Sequence, residues 1–450
     1  DTLWVYNCRD AVATYEIAEV LLAARDVRKL KSTSYGSPYD IQQSLSTPMA
    51  RASARGVKVN ADRRRSTAFI LQEDIRSAEE WLNDLLGREF NVRSPKQMQD
   101  LFYRDFGLKP ILDRKTWRPT LDAEALEKIS KQDVIFRPLC QTIMHIRSLS
   151  NSFAVCVQPL DSDGRMRCQY SIPGAETYRF NSSSDPFGLG GNLQNLTSGL
   201  EEDRDWPLPN LRKLIIPDEG YTIGEFDLPQ ADARVVAWEA EDEDLIQLFQ
   251  DSSRHLHMEN AEIIFGKRPK KGDLQYYYAK QGVHLTNYGG SAQVLAATLG
   301  ITIMEAERFQ NRWFQHHPKI KEWHRRVQMQ LSTRRCVENA FGYRRFYFDR
   351  IEGLLKEALA WIPQSTVAIA TNLAILACHN DAELSKVVQL LLQVHDSSVH
   401  QWPTDKTKDI IPKMLQRMTI IVPYAHPLIL KPEVKTSTIS WGDLKEYMIS

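Results

Sequence analysis

Two acidic residues far apart in the chain, with a cationic helix face between them, carry most of the chemistry that can be read from this sequence. Asp227 closes the run Tyr221-Thr-Ile-Gly-Glu-Phe-Asp227, and Asp396 follows Leu390-Leu-Leu-Gln-Val-His395. In each case an apolar, strand-like stretch delivers a carboxylate to its end, where water and metal can reach it. Between them, Lys280, His284 and Tyr288 recur every fourth residue within Lys280-Gln-Gly-Val-His284-Leu-Thr-Asn-Tyr288-Gly289. That spacing sets an ammonium, an imidazole and a phenol on one face of a helix. Two carboxylates from separate strands can hold a pair of divalent cations, and a facing cationic helix can hold a triphosphate; in-line phosphoryl transfer by two metals requires those parts. Taken singly, each feature is weak, because an Asp after a strand is more often a turn or cap residue and a lone helix Lys is by default a solvated one. The ordered set is what points to chemistry.

The elements that would position these residues can be read from periodicity. Residues 223–226 and 390–394 read as strands, with 399–402 as the return strand of a hairpin; 245–250, 255–265, 276–286, 292–299, 303–314 and 357–377 read as helices. Upstream, 11–30 reads as helix and 31–48, rich in Ser, Thr, Pro and Gly, as linker. Residues 49–88 read as helical with a break at 56–59; Ser94 is a candidate helix cap with Pro95 in the first turn, and 121–129 and 134–149 complete a helical region. From Phe153 the pattern alternates, so 155–158 and 166–172 read as strands about the turn Asp161-Ser-Asp-Gly164, and 182–198 reads as irregular and too polar for a core. The fold class expected is α+β.

At 450 residues the chain is long enough for roughly two to four compact units. Lys plus Arg equals Asp plus Glu at 57 each, so net charge gives no hint of a nucleic-acid partner. The distribution does. Arg51, Arg55, Lys58 and Arg63 to Arg65 form one basic cluster, and Lys319, Lys321, Arg325, Arg326, Arg334, Arg335, Arg344, Arg345 and Arg350 a second, balanced by acidic runs at 201–205 and 239–244. Separated zones suit a cationic channel in an acidic exterior, while any single cluster reads equally well as a solvated helix face. Six cysteines without paired short spacing indicate free thiols and a reducing compartment. No apolar run approaches transmembrane length and no basic-then-apolar leader is present, so no membrane partner is expected. The first residue, Asp1, is not Met, as in a piece of a longer product.

Three segments resemble the motifs of one enzyme family. Asp227-Leu-Pro-Gln230-Ala-Asp232-Ala-Arg234 is similar to motif A, 280–289 to motif B, and Gln393-Val-His395-Asp396-Ser397 to motif C of family A DNA polymerases, the bacterial polymerase I type and particularly its phage forms. Thr177-Tyr-Arg179-Phe-Asn-Ser-Ser, Asn192-Leu-Gln194-Asn195 and Phe341-Gly342-Tyr-Arg344-Arg345 extend the match, in the family's order, over nearly the whole chain. The resemblance implies a right-hand fold. Residues 1–45 would be the C-terminal remnant of a 3′–5′ exonuclease-like domain and a linker, with Tyr6 and Asp10 four apart. Residues 46–150 would form a helical thumb, 151–250 and 336–450 the two parts of a palm with an antiparallel sheet, and 251–335 helical fingers. Asp10 lacks the upstream carboxylates of such an exonuclease, so a structural tail is expected there. The thumb carries no long insertion that would dock a processivity factor.

The activity implied is template-directed extension of a primer 3′ end with dNTPs, in replication or repair. Asp227, Asp396 and the main-chain carbonyl of Leu228 would hold two Mg²⁺ ions, with Mn²⁺ able to substitute, and Lys280 would neutralise the triphosphate and protonate pyrophosphate. Gln230, Asp232, His257, His284 and Tyr288 would meet the nucleotide, with Asp232 accepting a hydrogen bond from Tyr288. Arg179, Asn192, Gln194, Asn195, Arg344, Arg345, Gln364, Gln393 and His395 would contact primer-template DNA, where minor-groove acceptors let Arg and Gln test pair geometry without reading sequence. Ser94, Lys96 and Gln97 would contact phosphates of the upstream duplex. The chain departs from the family's pattern at several positions. Ser397 and Asp232 each stand where relatives carry Glu, His255 where they carry Asp, His284 where they carry Phe or Tyr, and Ala360 where many carry Asn. Tyr276 replaces an Arg, so phosphate affinity must come from elsewhere, with Lys270, Lys271 and Arg254 as candidates. A monomer acting in the cytoplasm of a bacterial or phage-infected cell is expected, with an exonuclease domain upstream or encoded separately. The alternatives are a single-subunit RNA polymerase, against which Asp232 and the 177–183 segment speak, and an inactive DNA-binding homologue, against which the retained Asp227, Asp396 and Lys280 speak.

Overall fold

The computed structural model describes residues 2–27, 33–113, 116–172, 174–185, 188, 190–199, 208–251, 254–270, 273–348 and 353–447. The acidic run at 201–205, Lys271 and Arg350 lie outside the described residues. In chain order the main elements are α1 (Thr2–Val27), α2 (Ala61–Leu86), α3 (Ala123–Gln132), α4 (Arg137–Val157), β1 (Tyr221–Asp227), α5 (Ala231–Ala240), α6 (Leu256–Phe265), α7 (Leu274–Asn287), α8 (Ile303–His316), α9 (Pro318–Arg334), α10 (Leu354–Asn380), β2 (Gln389–Val394), β3 (Ser397–Pro403), β4 (Glu433–Ser437) and β5 (Lys445–Glu446).

The central sheet has the order β5-β4-β1-β3-β2, and its recorded pairings are antiparallel. In β1 the pleat sends Thr222, Gly224 and Phe226 into the core and leaves Glu225 and Asp227 together on the opposite face. Asp227 stands opposite Ser397 of β3 on one side and Glu433 of β4 on the other. Gly224 is required where it stands, because a Cβ there would overlap the ring of Trp402, which is itself fully buried. Gly224→Ala should therefore destabilise the fold by roughly 1–3 kcal/mol or more through overpacking. The check is the denaturation midpoint; an unchanged midpoint would mean that the ring can move aside freely.

Helix α10 passes through the larger core. It is long and apolar enough to cross a membrane, contrary to the expectation from sequence, but 89% of that apolar window is buried inside the protein. Burial in the core accounts for its composition. A second, smaller core joins the far end of α2 to α3 and α4 through Leu82, Phe102, Leu126, Ile143 and Ile146. Within the larger core His400 is 2% exposed, with Nε2 3.0 Å from Ser398 Oγ. Burial, helped by nearby Arg55, pushes its pKa from 6.5 down to about 3. The folded state thus refuses a proton that the unfolded chain accepts. Stability from this group is complete above about pH 6.5 and falls on acidification, by roughly 2 kcal/mol at pH 5. Chemical denaturation at pH 7.5 and 5 should show that loss in the wild type and a flatter dependence in His400→Gln.

Mixed helix and antiparallel sheet is the α+β class expected. Several local expectations need correction. The 155–158 stretch is the end of α4, where one buried and one exposed neighbour, Cys156 and Val157, reflect helix geometry at a surface and not strand alternation. The 166–172 stretch divides into the short strands Arg165–Met166 and Gln169–Ser171. The 31–48 segment is not simply a linker: Ser37 and Asp40 make a reciprocal capping box for the helix Pro38–Ser44, and a second helix, Ser46–Arg55, follows. The 182–198 segment is not excluded from the core, since Ser182, Leu193, Gln194 and Leu196 are buried. Helices α5 and α9 and the helix Thr407–Met418 were not anticipated. Along α1, Trp4, Tyr6, Tyr15 and Val20 are exposed, and so is Asp10, whose carbonyl accepts the Thr14 hydroxyl.

Candidate active site

The two candidate metal-binding acids are brought together by one hairpin and its neighbour. β2 and β3 are joined by the two-residue loop His395-Asp396, and a hairpin loop that short needs a positive φ to match the twist of its strands. His395 supplies it at 55°. The loop is braced from below: Gln393 Nε2 donates to the His395 carbonyl at 2.7 Å, and Gln194 Nε2 donates to Gln393 Oε1 at 2.9 Å and to its carbonyl at 3.1 Å. Gln194 and Gln393 are 7% and 1% exposed. Three of these side-chain amide atoms, Gln194 Nε2 and both ends of the Gln393 amide, are thus engaged inside the protein holding the loop that carries Asp396.

Asp227 and Asp396 line one cavity of about 260 Å³ together with Glu225, Arg212, His395 and Lys435. The Asp227 carboxyl is pushed up to about 7, first by burial, then by Asp396 and Glu225, with Lys435 opposing. It is nevertheless open to solvent along one side. A carboxylate held among like charges and reachable from water is a donor set that divalent cations would relieve. Among the described residues no three His, Cys, Asp or Glu side chains form a complete metal cage. Water, main-chain carbonyls such as that of Leu228, or substrate phosphate would therefore have to complete the coordination, which is how Mg²⁺ is usually bound.

Asp396 also lines a second cavity of about 330 Å³, whose wall includes Gln230, Asp232, His257, Lys280, His284 and Tyr288. The side chains spaced by four residues on α7 do share a face toward it. The His284 and Tyr288 rings meet edge-on at 4.4 Å. Lys280 is exposed, and no ion-pair partner is recorded for it among the described residues. Helix α7 is anchored behind that face: Asn287 accepts from Trp313 Nε1 at 2.8 Å, and its carbonyl lies 2.8 Å from His324 Nε2. Gly282 lets Phe309 of α8 approach closely. His257 is pushed down to about 4 by burial, then by Lys280 and His255, so it faces the cavity as a neutral ring with Nδ1 unpartnered. Tyr276 packs on that ring at 5.6 Å.

Asp232 lies 3.7 Å from Arg179, and its acid is pushed up to about 6 by burial, with Arg179 opposing and Asp396 adding to the rise. The expected bond between Tyr288 and Asp232 is not formed. Asp232 Oδ1, the Tyr288 hydroxyl and Arg179 Nε are all buried without a partner. Burial, then the negative charge of Asp232, raises the Tyr288 phenol above its ordinary range, so it stays a donor. Three orphaned polar groups on the same charge cluster are unusual in a folded interior and leave bonds for water or a polar ligand to complete.

The other sequence-derived candidates are dispersed. Gln230 caps α5 with a left-handed φ of 54°. Asn192 accepts from the Ser182 hydroxyl at 2.8 Å and from the Gln194 amide at 3.0 Å, while Asn195 is exposed and Gln364 partly so on α10. Arg344 is tied to Glu338 at 2.6 Å, and Arg345 to Glu176 and, at 3.2 Å, to Glu357. Arg254 is engaged by Glu259, with Nε 2.9 Å from Oε2, which argues against it as the substitute phosphate ligand; Lys270 is exposed. Ser94, Lys96 and Gln97 sit far along the chain at the smaller core: Ser94 caps the helix Pro95–Gln99, Gln97 Oε1 accepts from the Asn91 amide at 2.8 Å, and Lys96 is exposed. Much of the first basic cluster is structural, since Arg55 donates to the Leu390 carbonyl at 2.9 Å, Arg63 to that of Lys213 at 3.1 Å, and Arg64 to that of Gln158. Sequence reasoning missed Arg212, Glu225, Glu433 and Lys435. Glu225 was within reach of it, being two residues before Asp227 on the same strand face; the others arrive by tertiary pairing alone.

Comparison with known proteins bears on this cleft. The family model for DNA polymerase family A matches residues 62–443. The chain is 28% identical over 429 residues to the thermostable DNA polymerase I of Thermus filiformis, covering 90% of this chain and 48% of that protein. It is 29% identical over 411 residues to DNA polymerase I of Pseudomonas aeruginosa, covering 88% and 43%. It thus spans about half the length of the curated relatives it matches. In three dimensions it is similar to the POL domain of Pol1 from M. smegmatis in complex with DNA primer-template and dNTP, with a TM-score of 0.75 at 22% identity over 89% of this chain and 70% of that one. That likeness gives the fold, and the family match spans both carboxylates, the cationic helix face and the sheet that unites them. The chain belongs to DNA polymerase family A.

Proposed function

We propose that this chain extends a primer 3′ end with dNTPs under the direction of a DNA template. The observation that carries the reading is the position of Asp396 on the walls of both cavities, one lined by carboxylates and the other by Lys280, His257 and Tyr288. A reacting phosphate placed beside Asp396 would have acids on one side and a cationic, hydrogen-bonding helix face on the other. The M. smegmatis domain, whose fold is shared, was obtained with primer-template and dNTP. On this reading the sheet and α10 form a palm of 151–250 and 336–450, α6 to α9 lie in the fingers of 251–335, and the helices of 46–150 form a thumb whose Ser94 to Gln97 tip meets upstream duplex. Residues 1–45 would be the end of an exonuclease-like domain. The chain would act as a monomer in the cytoplasm of a bacterial or phage-infected cell.

Family A polymerases depend on divalent metal, and we assign two Mg²⁺ to Asp227, Asp396 and the Leu228 carbonyl. When bound, such ions lower the pKa of a 3′-hydroxyl and offset charge on a leaving pyrophosphate. The protein's own residues do the rest. Lys280, exposed on the cavity wall, would meet the triphosphate as a cation and return a proton to the leaving group. His257 donates a hydrogen bond without adding charge. Tyr288 and His284 form the wall against which the incoming base and sugar stack. Primer extension with Mg²⁺ and a labelled primer-template is the test; no extension by protein that binds DNA would sink the reading.

Asp232 is assigned to sugar selection, because it and Tyr288 line the same cavity and its Oδ1 and the Tyr288 hydroxyl are both without a partner. Discrimination against a 2′-hydroxyl is a difference of transition-state energies, with a factor of ten for each ~1.4 kcal/mol. Asp232→Ala should raise rNTP use relative to dNTP by at least ~10-fold, with a smaller loss in dNTP insertion. Single-nucleotide kinetics with ATP and dATP opposite template T decide it. An unchanged ratio would remove Asp232 from the gate.

A further inference from the structure

We infer that Glu225 is a third carboxylate of the cation cleft, a positioning residue that ties the Asp396 loop to the strand of Asp227 and supplies charge for a divalent ion. This rests on the reading of Asp227 and Asp396 as cation ligands. Glu225 and Asp227 are alternate residues of β1, so their side chains leave the same face of the sheet. The Glu225 side chain is only 15% exposed and lines the same cavity as both aspartates. Its Oε1 accepts from the Ser397 hydroxyl at 2.8 Å, and its Oε2 accepts from Trp441 Nε1 at 3.1 Å. Ser397 has one proton and two acceptors in reach, Glu225 and the Val394 carbonyl at 3.0 Å; the charged acceptor makes the stronger bond. Through Ser397 the carboxylate therefore fixes the residue that follows Asp396.

Charge supplies the second argument. Glu225, Asp227, Asp396 and Glu433 line this cavity against only two cations, Arg212 and Lys435. Arg212 approaches Glu225 no closer than 3.9 Å, and its guanidinium is stacked over Trp441 at 4.4 Å. With all four ionised, as cation binding would leave them, four acids facing two bases carry a surplus of two negative charges. A half-buried surplus of that kind is costly unless a cation compensates it. Each Glu225 oxygen still has a lone pair to offer a metal-bound water after its protein hydrogen bond is made. Ser397, which follows Asp396, brings no carboxylate of its own; the third comes from the neighbouring strand.

The test is Mn²⁺ binding to the full chain without DNA, read as free Mn²⁺ by electron paramagnetic resonance. Glu225→Gln should weaken binding about tenfold, as the loss of an outer partner of a metal site does. Its Tm in EDTA should be equal to or above that of the wild type. Ser397→Ala, which keeps every charge, should weaken binding by a smaller but measurable factor of ~2 or more. Asp227→Asn serves as the control. If Asp227→Asn loses Mn²⁺ while both other variants bind as the wild type does, the role of Glu225 is overturned and the cation cleft stands. If Asp227→Asn itself binds Mn²⁺ normally, the cation cleft falls, and the inference with it. Should Glu225→Gln not fold, wild-type affinity in Ser397→Ala overturns the tie to the Asp396 loop.

Discussion

Asp227→Asn and Asp396→Asn should each reduce primer extension by ~10³-fold or more, while primer-template affinity stays within a few-fold of the wild type. On the proposed reading two ions would share these two side chains, and several kcal/mol of transition-state stabilisation would depend on them. Duplex affinity would come instead from Lys and Arg contacts to phosphate, which dominate protein–DNA affinity in general. Single-turnover insertion and a filter or anisotropy measurement of DNA binding separate the two quantities. Retention of more than about a tenth of the extension rate by either variant would contradict the assignment. A stability effect of opposite sign should accompany the loss. The Asp227 acid is held at about 7 in the metal-free fold. Its folded pKa exceeds the unfolded one, so stability falls as pH rises from about 4 to 7. Because the group is open to solvent on one side, the effect is discounted to roughly 1 kcal/mol. In EDTA at pH 8, Asp227→Asn should therefore melt slightly above the wild type, an inactive protein that is the more stable one. A clear drop in its Tm would show that Asp227 holds the fold together and is not strained by its neighbours.

Lys280→Ala should lower the insertion rate at saturating dNTP by ~10²–10³-fold and weaken dNTP binding, with little change in DNA affinity. Lys280 is the exposed cation on the α7 face toward the larger cavity, whose wall also includes Asp396. His257 cannot replace it, since burial keeps that imidazole neutral at physiological pH. Tyr276, packed on His257, carries no charge. Lys280→Arg distinguishes the two parts of the role. A guanidinium keeps the charge but does not give up a proton, so dNTP affinity should largely return while the insertion rate should not. If Lys280→Ala loses only DNA affinity, with full rate at saturation, the residue is a duplex contact and the α7 face points elsewhere.

What could be read from the chain alone was local. An apolar strand ending in Asp227, a hairpin about Asp396, and a helix with Lys280, His284 and Tyr288 on one face are each fixed by residue types within about ten positions of one another. Those patterns survive because the pleat period and the helix period are properties of the backbone. The same is true of the Ser94 cap and of the helix at 292–299. Local reading failed where tertiary burial overrode it. The alternation at 155–158 belongs to the end of a helix, and α10 does carry an apolar window of membrane-crossing length, which the core and not a bilayer buries. Nor could local reading tell what faces a side chain: Gln194 and Gln393 are buried against each other, and Arg344, Arg345 and Arg254 each pair with a nearby acid. By itself the sequence determined which residues could do chemistry and on which element each stands. The tertiary structure alone decided that Asp396 joins the two cavities, that Asp232 and Tyr288 line one of them without bonding, and that Glu225 reaches Ser397, because those relations lie between residues up to about 170 positions apart that only folding, such as the pairing of β1 with β3, brings together.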